Sequence, residues 1–514
     1  MNQAERFRQL TSTDRIRKNL RASSVRAAAY TGAAGFGDFA IRIGSTAILA
    51  RLLLPEDFGL VMMVTAVTAI ADQLRDLGLS SATVQKKEIT HEEVTNLFWV
   101  NVLLSAVSAL VICACAPLVS MYYKDQRLTV ITCVLASTFV AGGLMVQHQA
   151  LLTRQMKLGH TSSVRLLSSL VSTVLAISLA WMNFGYWALI WREVARSVLL
   201  TAGMWLCFPW MPGLPSWKTE IRGLIRFGTH LTGANILATI SAGFDRFLIG
   251  RFWGAAPVAM YRQAYQLVTA PIDQLLSPIY QVAQPGLSLL QTDDGRYRRF
   301  YLKMVVVVCA VTMPLSLFVA VYSKEITALI LGHKWGDAAP VLMILSFGTF
   351  IKQAVGSSAQ ILITRGLSKT YMILTLFYIA TLVLLMCVGV CWGTVGVAAA
   401  DVGATYLLML PRLHYSFKNS PVTMGMFFST ITRPVIASVA MALALILMRS
   451  VWPAHALLLT LAMGGCLALV VFSGVWILIP GGRAELMSLV SDLRSTRQRK
   501  GLGIKDAKTA GIAD

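Results

Sequence analysis

What this chain lacks is acid. Only 24 of its 514 residues are Asp or Glu, against 45 Lys or Arg, and charged residues of both signs make up 13% of the whole. So little charge excludes an ordinary soluble domain: 56% of the residues are hydrophobic, more apolar surface than a soluble fold can hide from water. Cysteine is sparse too. The eight present, Cys113, Cys115, Cys133, Cys207, Cys309, Cys387, Cys391 and Cys466, lie in or beside apolar stretches, where a thiol behaves as a small hydrophobe. They imply neither a disulfide framework nor a zinc site. No loop is long enough to hold a catalytic domain, and Gly32, Gly35 and Gly37 follow no strand, so they form no nucleotide loop. The first residues, MNQAERFRQLTSTDRIRKNLRASSVR, have neither an apolar core nor a small-residue cleavage site, so no signal peptide is expected.

What is present is a succession of apolar segments of about 20 residues, enough for a helix to cross the ~30 Å hydrocarbon core of a bilayer. The pattern predicts an all-α, polytopic integral membrane protein with about fourteen transmembrane helices. The net charge of +21 sits in the ends and in alternate connections, as the positive-inside rule requires, so it calls for no nucleic-acid partner. Lys86 and Lys87, then Arg154, Lys157 and Arg165, then Lys218, Arg222 and Arg226 mark cytoplasmic loops, and Arg296, Arg298, Arg299 and Lys303, Arg365 and Lys369, and Arg412 and Lys418 continue the series. The cation-poor turns PEDFG, NFGY and CWGT face outward, and both termini return to the cytoplasm.

The richest Pro/Gly stretch divides the chain. Residues 1–27 form a basic N-terminal segment, 28–208 a first six-helix lobe, 209–226 a cytoplasmic linker and 227–415 a second six-helix lobe. Two further helices occupy 416–480 and a basic tail 481–514. Asp72-Gln73-Leu74 and Asp273-Gln274-Leu275 stand at the same depth of corresponding helices, as do Arg51 and Arg251. Two parallel repeats follow, with a substrate site near the midplane between them. The tail is expected to lie on the anionic membrane surface, with contact to a partner enzyme as the sharper alternative.

Charges inside the membrane are costly, ~2.5–3.5 kcal/mol at a helix centre, so they mark a bundle interior or a wet cavity. Asp38 and Arg42 share one face of the first span, and Asp72, Arg75 and Asp76 one face of the second. Arg192, Glu193, Arg196, Asp245, Arg246, Arg262, Asp273, Lys352 and Asp401 follow in later spans. Arg42, Arg262, Asp273 and Lys352 lie too deep to snorkel and are read as functional. Arg51, Arg251, Arg75 and Asp76 are read as interface or packing charges, and His148 and His230 as packing residues. Cations lining one cavity would concentrate their field on an anion, and arginine grips phosphate oxygens in a bidentate way. Pro271, Pro278 and Pro285, at seven-residue spacing, predict a bent or broken helix that serves as a hinge.

The stretch ARLLLPEDFGLVMMVTAVTAIADQLRDLGLSSATVQKKEITHEEVTNLFWVN, residues 50–101, resembles Wzx-type polysaccharide flippases of the multidrug/oligosaccharidyl-lipid/polysaccharide (MOP) superfamily, in the succinoglycan and colanic acid exporter branch. Leu54-Pro55-Glu56-Asp57-Phe58-Gly59, Asp76-Leu77-Gly78-Leu79, Gln85-Lys86-Lys87 and Leu97-Phe98-Trp99 carry the likeness. The resemblance implies a transporter rather than an enzyme, one that moves undecaprenyl-diphosphate-linked oligosaccharide across the bacterial inner membrane by alternating access. It implies no cofactor beyond a coupling ion, proton or sodium, and among partners a polysaccharide polymerase and a chain-length regulator. Carried onto this sequence by helix and depth, Arg42, Arg246, Arg262 and Lys352 would bind substrate. Asp38, Asp72 and Asp273 would couple the ion, since a desolvated carboxylate exchanges a proton or holds sodium. A drug/cation antiporter of the same superfamily, a polymerase or ligase, and a membrane scaffold of a biosynthetic complex are the competing readings.

Overall fold

Among the described residues the backbone pairs with itself in helices and forms no strand, the solution that a bilayer imposes on a spanning chain. The computed structural model describes residues 20–86, 89–215, 239–451 and 456–483. The start of the N-terminal segment, Lys87, Lys218, Arg222, Arg226, His230 and the tail beyond Arg483 lie outside the described residues.

The first bundle comprises α1 (Leu20–Leu52), α2 (Pro55–Asp76), α3 (Leu79–Gln85), α4 (His91–Tyr123), α5 (Arg127–Arg154), α6 (Leu158–Trp181) and α7 (Trp187–Cys207). Next come α8 (239–253), α9 (Ala255–Leu289), α10 (Asp294–Val321), α11 (Ser323–Ile330), α12 (Ala338–Gly356) and α13 (Ser358–Thr364). The series ends with α14 (Ser368–Gly389), α15 (Gly393–Phe417), α16 (Met424–Val451) and α17 (Leu457–Leu478). Eight helical stretches among the described residues are long and apolar enough to cross a membrane, one of them running through α14 and α15. The chain is a multi-pass membrane protein. The helices below that threshold include α1 and α2, which carry several of the intramembrane charges, so the count of fourteen rests on the sequence pattern.

The chain divides into two compact units. One contains residues 1–274, 326–345 and 377–404, the other 275–325, 346–376 and 405–514. In the first, α4 packs along α5, α6 along α7 and α1 along α6. In the second, α16 lies between α10 and α17. There Arg449 pairs with Glu325 at 2.7 Å and Arg365 with Asp294 at 2.6 Å, while the Tyr297 hydroxyl meets that of Thr364 at 2.7 Å.

The expected second span is two helices rather than one. Leu77 and Gly78 both take positive φ, 44° and 68°, which ends α2 and restarts the chain as α3. A leucine tolerates that conformation only at a cost of ~1–2 kcal/mol, so the break must be held from outside. Asp76 holds it on one side: its carboxylate accepts from the Ser80 amide at 2.9 Å and from the Ser80 hydroxyl, capping α3. On the other, Asn101 of α4 donates to the Arg75 carbonyl at 3.1 Å, which the break deprives of its helical partner. Gln147 of α5 donates to Asn101 at 2.8 Å and accepts from Thr83 at 2.9 Å. The Asp-Leu-Gly-Leu motif is therefore a built discontinuity, with a buried polar chain as its brace.

Trp99 of the Leu-Phe-Trp motif has a comparable anchoring role, donating to the Gly213 carbonyl at 2.9 Å and so tying the start of the linker to α4. Phe98 packs edge-on against Trp99, Trp205, Trp210 and His148. His148, fully buried, is a packing residue as expected, and its Nε2 donates to the Trp210 carbonyl at 3.0 Å.

Replacing Asn101 with Ala strips Gln147 and the Arg75 carbonyl of a partner where water cannot reach, at ~1–3 kcal/mol for each group left unpaired. A clear fall in the thermal transition of the purified protein is expected, measured against the exposed control Ser137→Ala.

Candidate functional site

Two adjoining cavities of about 470 Å³ and about 390 Å³ open within the first bundle, sharing Arg75, Met145 and Gln149 in their walls. Asp38 of α1, Ser162 and Arg165 of α6 and Arg196 of α7 complete the polar lining of the larger. Asp76, Ser80 and Thr153 line the smaller.

Arg75 is fixed by its surroundings. Its guanidinium lies directly on Gly142, where any side chain would collide with it, and Nη1 is 3.2 Å from Asp72. Its Nε is buried without a hydrogen-bond partner. Arg192 Nη2 reaches Ser45 Oγ at 3.4 Å, and Arg196 stands 3.8 Å from Glu193. The cavity region thus mixes guanidiniums with carboxylates that only partly balance them, suited to holding an anion by charge-assisted hydrogen bonds.

A second cluster lies on α8 and α9. Asp245, almost fully buried, accepts from Arg262 Nη1 at 3.2 Å, and Arg246 Nε stands 3.8 Å from its other oxygen. Arg262 also lies over the Tyr265 ring at 5.0 Å, and buried Asp401 is close enough to act on Tyr261 electrostatically.

Of the residues singled out from sequence, Asp38 lines the larger cavity and Asp72 pairs with the Arg75 that lines both. Arg246 and Arg262 come together around Asp245. Arg42 is exposed on α1, Asp273 is exposed on α9, and Lys352 is half-buried on α12 in the other compact unit. Pro271, Pro278 and Pro285 all lie inside α9, which runs unbroken from Ala255 to Leu289, so of the bent or broken helix expected the broken form is absent. Unwinding there would expose further backbone groups to an apolar medium, a larger cost than one missing donor per proline.

Two further cations reach the cavities: Arg75, which pairs with Asp72 as a packing charge does, also lines both, and Arg165, counted among the loop cations, stands within α6 and lines the larger. The polar neighbours Gln149 and Ser162 carry no periodic signal of their own.

At the end of the first unit that carries Pro55–Gly59, the helices make close contact. Gly59 of α2 meets Ala255 at the start of α9 so tightly that a Cβ on Gly59 would fall inside the Ala255 carbonyl. Phe58 packs edge-on against Trp335 at 5.4 Å, and Trp335 Nε1 donates to the Ala50 carbonyl at 3.0 Å. Arg51 donates to the Leu329 carbonyl at 2.6 Å. Around the rim Arg127 links Glu56 at 2.5 Å with Asp125 at 2.7 Å. The hydrogen-bonded Arg127 guanidinium holds the Asp125 carboxyl below the usual carboxylate range. The Leu-Pro-Glu-Asp-Phe-Gly motif makes this contact: Asp57 caps α2 through the Leu54 amide, Glu56 takes Arg127, Phe58 takes Trp335 and Gly59 admits the α9 backbone.

Residues 48–340 match a family model described as "Polysaccharide biosynthesis protein", more than half of the chain. The chain belongs to this polysaccharide biosynthesis family. Among its relatives, the lipopolysaccharide biosynthesis protein WzxC of Escherichia coli is 26% identical over 58% of this chain and 61% of its own length. The succinoglycan biosynthesis transport protein ExoT of Rhizobium meliloti is 23% identical over 82% of this chain and 85% of its own. Matches to the first curated relatives span between 61% and 68% of their length. Among solved structures, the lipid II flippase MurJ in an inward closed conformation superposes with a TM-score of 0.72 at 12% identity, covering 87% of this chain and 98% of that one. The family member described here therefore shares the MurJ fold.

Because the contact in this family member leaves no room for a side chain at Gly59, Gly59→Val is expected to separate α2 from α9 or to destabilise the fold. Overpacking of this kind costs ~1–3 kcal/mol. Increased labelling of a cysteine placed at Phe58, or a lowered thermal transition, would register it.

Proposed function

We propose that this protein is a flippase that carries a diphosphate-linked oligosaccharide from the cytoplasmic to the outer leaflet of a bacterial inner membrane, for assembly of a surface polysaccharide. The observation that carries the reading is a cation-lined cavity in the first unit, which has α2 in backbone contact with α9 at the Pro55–Gly59 end. Such a site is suited to take an anionic headgroup from the opposite side and to release it when that contact shifts. Family membership and the likeness to relatives, among them a transport protein for succinoglycan biosynthesis, support the substrate class.

In this reading the termini are cytoplasmic, and the chain works by moving its substrate without covalent chemistry. Arg42, Arg246 and Arg262, joined by Arg75, Arg165 and Arg196, are the proposed substrate cations of the first unit, and Lys352 is the one proposed in the second. A substrate with two phosphates and acidic sugars gains from a field focused by apolar walls, whereas a cationic drug would be repelled. Asp38, Asp72 and Asp273 are the proposed coupling carboxylates: protonation or sodium binding at Asp38 and Asp72 would alter the net charge around Arg75 and so its hold on an anion. The region of Pro271 to Pro285 in α9 is the proposed point of flexure between inward-open and outward-open states.

The test is reconstitution in liposomes with diphosphate-linked oligosaccharide from the host, scored by access of an external sugar-modifying reagent, with and without a proton or sodium gradient. Protein-dependent access that rises with one gradient is expected. Arg75→Gln should lower its rate tenfold or more, the order of one lost charge-assisted contact, while leaving expression and assembly intact. Correctly folded protein that moves no substrate under any gradient would return the weight to an antiporter or a scaffold.

A further inference from the structure

The Asp245 carboxylate occupies two arginines at once and satisfies neither completely. Its Oδ2 accepts from Arg262 Nη1 at 3.2 Å, and its Oδ1 accepts from the backbone amide of Arg246 at 2.8 Å. Arg246 Nε, 3.8 Å from Oδ1, is beyond hydrogen-bond reach and is buried with no acceptor. The Tyr123 hydroxyl, in the field of Arg246 and Asp245, is likewise buried with no partner. Two donors next to one carboxylate are thus left unused, and an unmade bond to a buried polar group is a standing penalty. An anion with more oxygens than a carboxylate could engage both guanidiniums and a phenol together, and a diphosphate is such an anion.

We infer that Asp245 is a built-in counter-anion that holds Arg246 and Arg262 while the carrier is empty and is displaced when a diphosphate group takes them. The inference rests on the flippase reading and adds to it the residue that decides when the two arginines become available. No covalent bond changes; one anion replaces another on the same donors.

The exchange has a mechanical side. The helix that carries Asp245 and Arg246, α8, packs through Gly250 onto Tyr123, where a Cβ would stand 2.5 Å from the ring, and through Gly243 near Ala66 of α2. Tyr122 also donates to the Phe247 carbonyl at 3.4 Å. The turns of α8 that present the arginine are therefore the turns that rest on α2 and α4. While Asp245 holds Arg246 this contact stays in register, and a ligand that draws Arg246 away acts on it directly.

The test uses full-length protein in nanodiscs with inorganic pyrophosphate and a polyprenyl diphosphate as probes, and a polyprenyl monophosphate as control. Asp245→Asn and Asp245→Ser should each tighten binding of a diphosphate about tenfold or more, the scale of a close charge pair removed from competition, and Arg262→Gln should weaken it. Tightening for both probes assigns the site to the diphosphate itself, and tightening for the polyprenyl probe alone assigns it to a lipid-borne one. In the wild-type protein, saturating probe should raise carbodiimide labelling of Asp245 several-fold, a readout that needs no variant to fold. Unchanged or weaker binding in a folded Asp245 variant, or labelling indifferent to the probe, would overturn the inference. If liposome transport persists alongside that result, the counter-anion idea alone falls; if labelling responds while transport is absent, it is the flippase reading that falls.

Discussion

Charge in an apolar solvent is the constraint on which the rest of this structure depends. A guanidinium in hydrocarbon must find a carboxylate, a carbonyl or water, and in the first unit Arg75, Arg246 and Arg262 each stand beside a carboxylate that does not satisfy them fully. Arg75 has Asp72 on one side and the bare backbone of Gly142 beneath it, with Nε left over. Arg246 and Arg262 divide one carboxylate. A fold selected for stability alone would favour apolar packing at these positions, because a buried ion pair seldom repays its desolvation. Incomplete pairing at depth is what a site that must take and release an anion requires.

The second constraint is backbone proximity. Lipid gives helices no hydrophobic reason to associate, so close contact depends on small residues. Gly59 against Ala255, Gly250 against Tyr123 and Gly142 against Arg75 are three uses of the same absence of a side chain. The first joins two helices, the second seats a helix and the third makes room for a charge. The discontinuity at Leu77-Gly78 belongs with them: it turns α3 away from the line of α2 and brings Ser80 and Asp76 to the smaller cavity.

Much of this was legible in the sequence, and the reasons for the rest are specific. Segment length and the alternation of basic loops exposed the helical membrane fold, because both are imposed by the bilayer and need no tertiary information. The motifs at residues 54–59, 76–79 and 97–99 stood out as a resemblance, yet their roles as helix contact, discontinuity and linker anchor depend on partners such as Trp335, Asn101 and Gly213 that are distant in sequence. That Arg75 also lines the cavities was not legible because the break after Asp76 has no periodic signal, and Arg165 was hidden because a basic residue near a loop reads as a topology signal. Asp245 was visible as a charge but not as the carboxylate shared between two arginines, since Arg262 is a full helix away. The prolines of α9 show the converse: their spacing allowed a bent or a broken helix, and the cost of exposing backbone to lipid favours the unbroken one.

The contact at Gly59 and the larger cavity have no residue in common. Arg51, Phe58, Gly59, Ala255 and Trp335 make the one, while Asp38, Arg75, Gln149, Ser162, Arg165 and Arg196 form the polar wall of the other feature. One set is held by backbone contact, and in the proposed function the other faces the cargo. Such a division makes the molecule modular. Under the proposed function that contact can stay fixed while the cavity wall is changed, so a chimaera that transplants only the wall residues tests whether the wall reads the sugar.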